Sequence, residues 1–293
     1  MEKRYSKIIN TLLRFYLRHI PITEGKKKLV SLLSRFSMPN KSIIYSKMKD
    51  NYFLKLNLNN PEHKHMYLYS EHDERYERRA LLNLIRIDDV VWDIGANIGF
   101  YSLLFSKLAT KGKVIAFEPS SISRSFLEKS IDKNNICNID VKDFALGSKK
   151  ESTKIFFSND SNAEGTASMI YDPGKEMFEE INVFKIDELQ DLDIPNFIKI
   201  DVEGTHNEVL KGGQKFFKNF SPLIMIELKD IPERDKYKKI ESMKIFKDLN
   251  YDIFEIKKNG LKFCFDILKS ECRNFIVCKK NNDSYSRISS YLL

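Results

Sequence analysis

The chain has 293 residues, enough for one large α/β domain with additions. Its 42% apolar and 31% charged residues supply a core and exclude a disordered chain, and no apolar run approaches the ~18 residues of a spanning helix. Residues 1–50 hold 12 Lys/Arg against 3 Asp/Glu and the remainder 37 against 38, so the net charge of +8 belongs to the N-terminal segment and no nucleic-acid groove is expected across the main body.

Residues 3–20, "KRYSKIINTLLRFYLRHI", have helical periodicity. Ile8, Ile9, Leu12, Leu13, Tyr16, Leu17 and Ile20 fall on one face, with Lys3, Lys7, Arg14 and Arg18 on the other. Such a helix packs on the main domain or a second subunit, or lies peripherally on an anionic membrane. Arg14, Arg18 and His19 interrupt the apolar residues that a cleaved leader would need. Pro21 and Gly25 end the element, and "EGKKKLVSLLSRFSMP" reads as a second short helix. The segment 1–50 is thus a basic helical extension, with oligomeric state unreadable.

Residues 51–88 form an entrance segment: "YFLKLNL" alternates like a strand, and "SEHDERYERRALLNLIRI" reads as a helix. His63 and His65 lack a third ligand and are expected to be solvated. From 89 to 281 the pattern is regular. Strands are predicted at 89–94, 113–118, 139–144, 197–201, 222–228, 251–256 and 273–279, with helices near 100–110, 121–133, 206–219 and 236–249. This alternation implies a mostly parallel sheet covered on both faces. No helix-length segment separates the last two strands, which are expected to pair antiparallel; 282–293 is left as a C-terminal tail. Cys137, Cys264, Cys272 and Cys278 form no C-x-x-C pair and are expected to be reduced, mostly packed thiols of a cytoplasmic protein.

The chemistry concentrates at strand ends, where open α/β sheets bind ligands. "VWDIGANIGF" reads as strand, turn and helix. Gly95 permits close approach of a ligand to the backbone, and Gly99 permits tight helix–strand contact. The spacing is G-x-x-x-G, not the G-x-G-x-x-G that seats a pyrophosphate. Asp93 would repel phosphate and suits an ammonium or sulfonium group. Glu118, at the next strand end, can accept from both ribose hydroxyls. The pattern points to a nucleoside ligand with a cationic end and no phosphate, a description S-adenosylmethionine meets. An NAD-dependent oxidoreductase on a similar sheet is the competing reading, and a non-catalytic chain that binds a membrane or partner is another.

In "FIKIDVEGTHNEVLKGG", Asp201 and Glu203 flank a strand end and can orient or deprotonate an acceptor hydroxyl. His206 is an alternative base or a solvated first-turn residue. Thr205 and Glu208 have capping-box spacing. Glu227 ends the strand in "LIMIEL"; with Asp201 and Glu203 it offers three oxygens for a divalent metal such as Mg²⁺, or works without one.

"DIGANIGFYSL", "VIAFEPS", "FALG", "FKIDEL", "IKIDVEGTHNEVLKGG" and "PLIMIEL" together resemble the FkbM family of S-adenosylmethionine-dependent methyltransferases over roughly residues 68–230. The resemblance implies a Rossmann-like methyltransferase fold, to which the antiparallel C-terminal strand pair read above is added. It implies methylation of an oxygen on a small-molecule or carbohydrate acceptor, with a sugar or glycan hydroxyl foremost and a secondary metabolite as the other class. By it, Asp93, Gly95, Ala96, Asn97 and Gly99 line the methionine part, with Phe100, Tyr101 and Ser102 opening the next helix. Glu118 and Pro119 attend the ribose. Asp143, Phe144 and Ala145 attend the adenine, and Asp201 borders the cofactor. Tyr69, Glu71, Gly165, Ser168 and Glu227 are the acceptor-side candidates.

Overall fold

The computed structural model describes residues 2–19, 38–39, 41–72, 74–157, 177–228, 234–280 and 283–293. Residues 24–37 of the expected second helix, and the loop residues Gly165 and Ser168, lie outside them.

The N-terminal part comprises α1 (Glu2–His19), the hairpin β1 (Ile43–Lys47) and β2 (Phe53–Asn57), α2 (Pro61–Tyr69) and α3 (Arg75–Leu84). A βα unit follows: β3 (Val90–Ile94), α4 (Phe100–Leu108), β4 (Lys113–Phe117), α5 (Ser121–Lys133) and β5 (Ile139–Lys142). Three strands, β6 (Ala145–Leu146), β7 (Glu151–Phe157) and β8 (Met177–Phe184), form a separate sheet in the order β6-β8-β7. The chain then returns as β9 (Phe197–Ile200), α6 (His206–Gly212), α7 (Gln214–Phe220), β10 (Leu223–Glu227) and α8 (Arg234–Asp248). It ends with β11 (Tyr251–Lys257), β12 (Gly260–Phe263), β13 (Asn274–Lys279) and α9 (Asp283–Ser289).

The central sheet has the order β12-β11-β13-β10-β9-β3-β4-β5. Strands β3, β4, β5, β9 and β10 run parallel. β13 is antiparallel to both β10 and β11, so the expected late pair is present, and its second member is inserted between earlier strands. The apolar runs of these strands serve two cores, because alternate side chains face opposite ways. Val91, Val114, Phe197 and Met225 join one cluster; Trp92, Ile115, Ile198 and Ile226 join the other. The strand order reverses at β3, between β4 and β9, which opens a crevice at the carboxyl ends of β3, β4 and β9.

α1 packs on α2, but not with its whole apolar stripe. Asn10, Leu13 and Leu17 are buried, whereas Ile8, Leu12 and Phe15 are 49%, 63% and 58% exposed. Polar anchoring selects the buried face. The Tyr67 hydroxyl donates to Asn10 at 2.6 Å, the Arg14 guanidinium lies 4.1 Å from the Tyr67 ring centre, and Arg18 donates to the carbonyls of Tyr67 and Leu68. These carbonyls belong to the last turn of α2, where a cation also complements the helix dipole. The two arginines therefore face inward.

The C-terminal segment is tied to the sheet. Arg287 makes a two-pronged ion pair with the buried Asp89 at 2.7 and 2.8 Å. His63 is buried and not solvated as expected: its Nδ1 accepts from the Asn57 backbone, and burial lowers its pKa to about 4. Among the cysteines Cys264 and Cys278 are buried, with burial raising their pKa values to about 11 and about 12, while Cys137 is exposed.

Candidate active site

The crevice is a cleft of about 820 Å³. Its first wall is the turn after β3. Gly95 and Ala96 both donate backbone N–H groups to the Phe117 carbonyl at 3.0 Å, which folds the turn onto the end of β4. Gly95 has φ +85°, and a Cβ there would stand 1.9 Å from the Asp201 carbonyl oxygen, so the turn touches the end of β9 backbone to backbone. Gly99, at φ +89°, meets Leu127 of α5.

Glu118 bridges this turn and the next. Its two carboxylate oxygens accept from the backbone N–H of Asn97 at 2.7 Å and of Ser120 at 2.8 Å. Burial nevertheless pushes its pKa up to about 7, more than those N–H groups and Arg124 pull it down. Asp93 is fully buried at the cleft wall. One of its oxygens accepts from Ser102 at 2.5 Å; the other has no hydrogen-bond partner among the described residues. Burial raises its pKa, opposed by Lys199 and Ser102.

The second wall comes from β9. Asp201 and Glu203 line the cleft, with Glu227 from β10. Glu203 has φ +39°, in the left-handed region, directly before Gly204 at +85°; a non-glycine residue held there by its surroundings is common at functional sites. Lys199 is 3% exposed and places its ammonium 2.8 Å from Asp201 and 4.5 Å from the Tyr101 ring centre. Burial alone would lower its pKa, but Asp201, Asp93 and Glu74 raise it instead. Asp93 and Lys199 are directly paired across β3 and β9.

A third wall comes from Glu62, Met66, His72 and residues 74–77. The His72 ring sits between Glu62 (2.7 Å) and Glu74 (3.2 Å). Burial disfavours its charge, yet the two carboxylates raise its pKa to about 10, so it is an imidazolium. Glu74 also accepts from the Tyr101 hydroxyl and from Asn274. Burial pushes Glu74 up, but His72, Lys199 and Tyr101 outweigh it and hold its pKa at about 2.

The cleft thus collects Asp93, Gly95, Ala96, Asn97, Phe100, Tyr101, Glu118, Pro119, Ala145, Asp201, Glu203 and Glu227. Other candidates fall elsewhere. Gly99 and Ser102 support the turn from behind. Asp143 is exposed, and Phe144 packs on Phe117 and Phe184, because β5 stops at Lys142 and the chain turns into β6. His206 is buried at the start of α6, off the cleft wall. Tyr69 stacks on His65, and Glu71 pairs with Lys49 and Arg75. Thr205 makes no side-chain cap; its hydroxyl donates to the Val202 carbonyl, and Glu208 pairs with Ser148 and Lys211. Among the described residues no three His, Cys, Asp or Glu side chains are grouped to hold a metal ion, Asp201, Glu203 and Glu227 included. Lys199, His72 and Glu74 escaped the sequence reading. The signal for Lys199 was available: a single lysine inside the apolar run "FIKI", two residues from Asp201 and hence on the same side of the strand.

The Methyltransferase FkbM domain profile matches residues 93–253, more than half of the chain. The chain belongs to this family. Hexuronic acid methyltransferase AglP of Haloferax volcanii is 32% identical over 134 residues, covering 46% of this chain and 54% of that protein. The AMB antimetabolite synthetase AmbE of Pseudomonas aeruginosa is 32% identical over 126 residues, 43% of this chain and 5% of its own length. The chain thus spans about half of AglP and a small part of AmbE. Among solved structures, a methyltransferase FkbM from Methylobacillus flagellatus is 19% identical, with a TM-score of 0.45, over 73% of this chain and 52% of that one.

The FkbM domain's strand-end acids fit S-adenosylmethionine and not a dinucleotide. The unpartnered oxygen of Asp93 suits a cationic group, and the two buried carboxylates of the wall, Asp93 and Glu118, suit a pyrophosphate poorly.

Proposed function

We propose that the chain is an S-adenosylmethionine-dependent methyltransferase acting on a hydroxyl of a carbohydrate-type acceptor. The observation that carries this reading is the Asp93–Gly95–Glu118 wall, with an unpartnered buried carboxylate oxygen at its centre, inside an FkbM domain. When bound, S-adenosylmethionine supplies an electrophilic methyl group. Asp93 would face the cationic end, Glu118 the ribose, and Ala145 with Leu146 the base. Asp201 or Glu203 would take the acceptor's hydroxyl proton as the oxygen forms its new bond to carbon. The Lys199 ammonium, 2.8 Å away, would hold the Asp201 carboxylate in position. The sugar class rests on the hexuronic acid methyltransferase relative and on the polar, open acceptor side of the cleft.

The test is calorimetric titration with S-adenosylmethionine and S-adenosylhomocysteine. Wild type is expected to bind in the ~micromolar range and Glu118→Ala at least ~10-fold more weakly, about 1.4 kcal/mol. No binding by wild type overturns the proposal.

A second contact is favoured by the exposed stripe Ile8, Leu12 and Phe15 on α1, which suits peripheral attachment to a membrane surface through residues 1–20. Sedimentation with anionic vesicles should be lost in Leu12→Glu/Phe15→Glu. No described helix is long and apolar enough to cross a membrane.

A further inference from the structure

The cleft is polarised along its length. Near the glycine turn its wall carries Asp93, Glu118, Asp201, Glu203 and Glu227, with Lys199 and His72 among them. At the far side, where α3 meets the ends of β11 and β13, it carries Arg75, Lys257, Lys258 and Arg273 against Glu77 and Glu271. β11 lies three strand positions from β9, whose end carries Asp201, and β13 lies two, separations of about 14 and 10 Å at the usual spacing. Both spans exceed one hexose ring.

The cations differ in how far they are neutralised. Lys257 is turned to Glu255 at 3.0 Å. Arg75 shares Glu71 with Lys49. Lys258 and Arg273 have no ion pair among the described residues, and both are exposed. Of the local acids, Glu77 is turned to Asn274. The turn carrying Lys258 is fixed against α3, since Arg79 donates to the Lys258 carbonyl at 2.7 Å. Tyr76, 46% exposed, offers a ring face at the same end.

We propose that this end binds an anionic group, a carboxylate or a phosphate, carried by the saccharide acceptor, with Lys258 and Arg273 as its partners. The hydroxyl to be methylated then lies at the glycine-turn end, so the product is a methyl ether that keeps its anionic group. This inference rests on the methyltransferase reading above.

Calorimetry in the presence of S-adenosylhomocysteine tests it with methyl β-glucuronide, glucose 1-phosphate and methyl β-glucoside. One of the anionic sugars should bind at least ~10-fold tighter than the glucoside, and the better one names the anion. In Lys258→Gln/Arg273→Gln the advantage should fall below ~3-fold while S-adenosylhomocysteine affinity is retained. Equal binding of the three sugars, no binding of any, or an advantage that survives the double substitution overturns the proposal. Failure of S-adenosylhomocysteine itself to bind would instead sink the methyltransferase reading. Ranking the sugars on the protein alone would still decide the anionic end.

Discussion

The Lys199 ammonium lies 2.8 Å from the Asp201 carboxylate, with Lys199 almost wholly buried and the Asp201 side chain 28% exposed. The pair joins the acceptor-side acid to the cross-strand neighbour of Asp93. Removing the cation takes its attraction away from both Asp93 and Asp201, which repel each other. Lys199→Met is expected to cost roughly 2–3 kcal/mol, below the full range for a buried pair because Asp201 reaches solvent. Urea unfolding measures it, and a loss under ~0.5 kcal/mol would show that the ion pair is dispensable.

Glu118 predicts a pH dependence of known sign. Its folded pKa is raised from 4.5 to about 7. Between those values the folded state holds a proton that the unfolded chain has released. Stability therefore falls as pH rises through that window and levels off above about 7, by at most ~3 kcal/mol. Glu118→Gln removes the titration but also disturbs the N–H contacts by a constant amount. Melting wild type and variant at pH 5 and pH 8 isolates the slope, which should be shallower in the variant; parallel slopes would refute the assignment.

The two glycines of the turn should respond unequally. At Gly95 an added Cβ meets the backbone oxygen of Asp201, whereas at Gly99 it meets a terminal methyl of Leu127, which can rotate. Both positions have positive φ, so both alanine variants carry strain of ~1 kcal/mol or more. Gly95→Ala should in addition displace the end of β9 and weaken S-adenosylhomocysteine binding at least ~10-fold more than Gly99→Ala does. Equal affinities in the two variants would contradict the backbone-contact argument.

Arg287 and Asp89 form a buried two-pronged pair, with side chains 6% and 2% exposed. Arg287→Ala leaves Asp89 charged and without its partner next to β3. The expected loss is about 3–5 kcal/mol, read by chemical denaturation; Arg287→Lys should recover only part, since an ammonium lacks the fork.

The repeating strand–helix unit from 90 to 142 was legible because apolar runs, a glycine turn and helical periodicity agree over that stretch. So was the return through β9 and β10. β6, β7 and β8 were not: β6 has two residues, and β7 and β8 expose about half of theirs, so no apolar run announces them. Asp143 and Phe144 were placed by extending β5 two residues too far, a boundary error that redirects both side chains. The strand-end acids could be read because their positions follow from strand length. The His72–Glu74–Tyr101 contacts could not, since Tyr101 lies 27 residues from Glu74 and only the fold brings them together. The opposite surprise is α1, where amphipathicity pointed to an all-apolar buried face and hydrogen bonding to Tyr67 chose another.

The position of β13 bears on how the chain is made. β13 fills the gap between β10 and β11, both of which precede it in sequence. During synthesis the nascent sheet must therefore wait, with the β10 edge open, until residue 279 has left the ribosome. Asn274, which hydrogen-bonds Glu74, arrives with that last strand. The far half of the cleft is thus assembled after the near half, and a chain stalled before β13 would carry a finished glycine turn beside an unpaired strand edge prone to association.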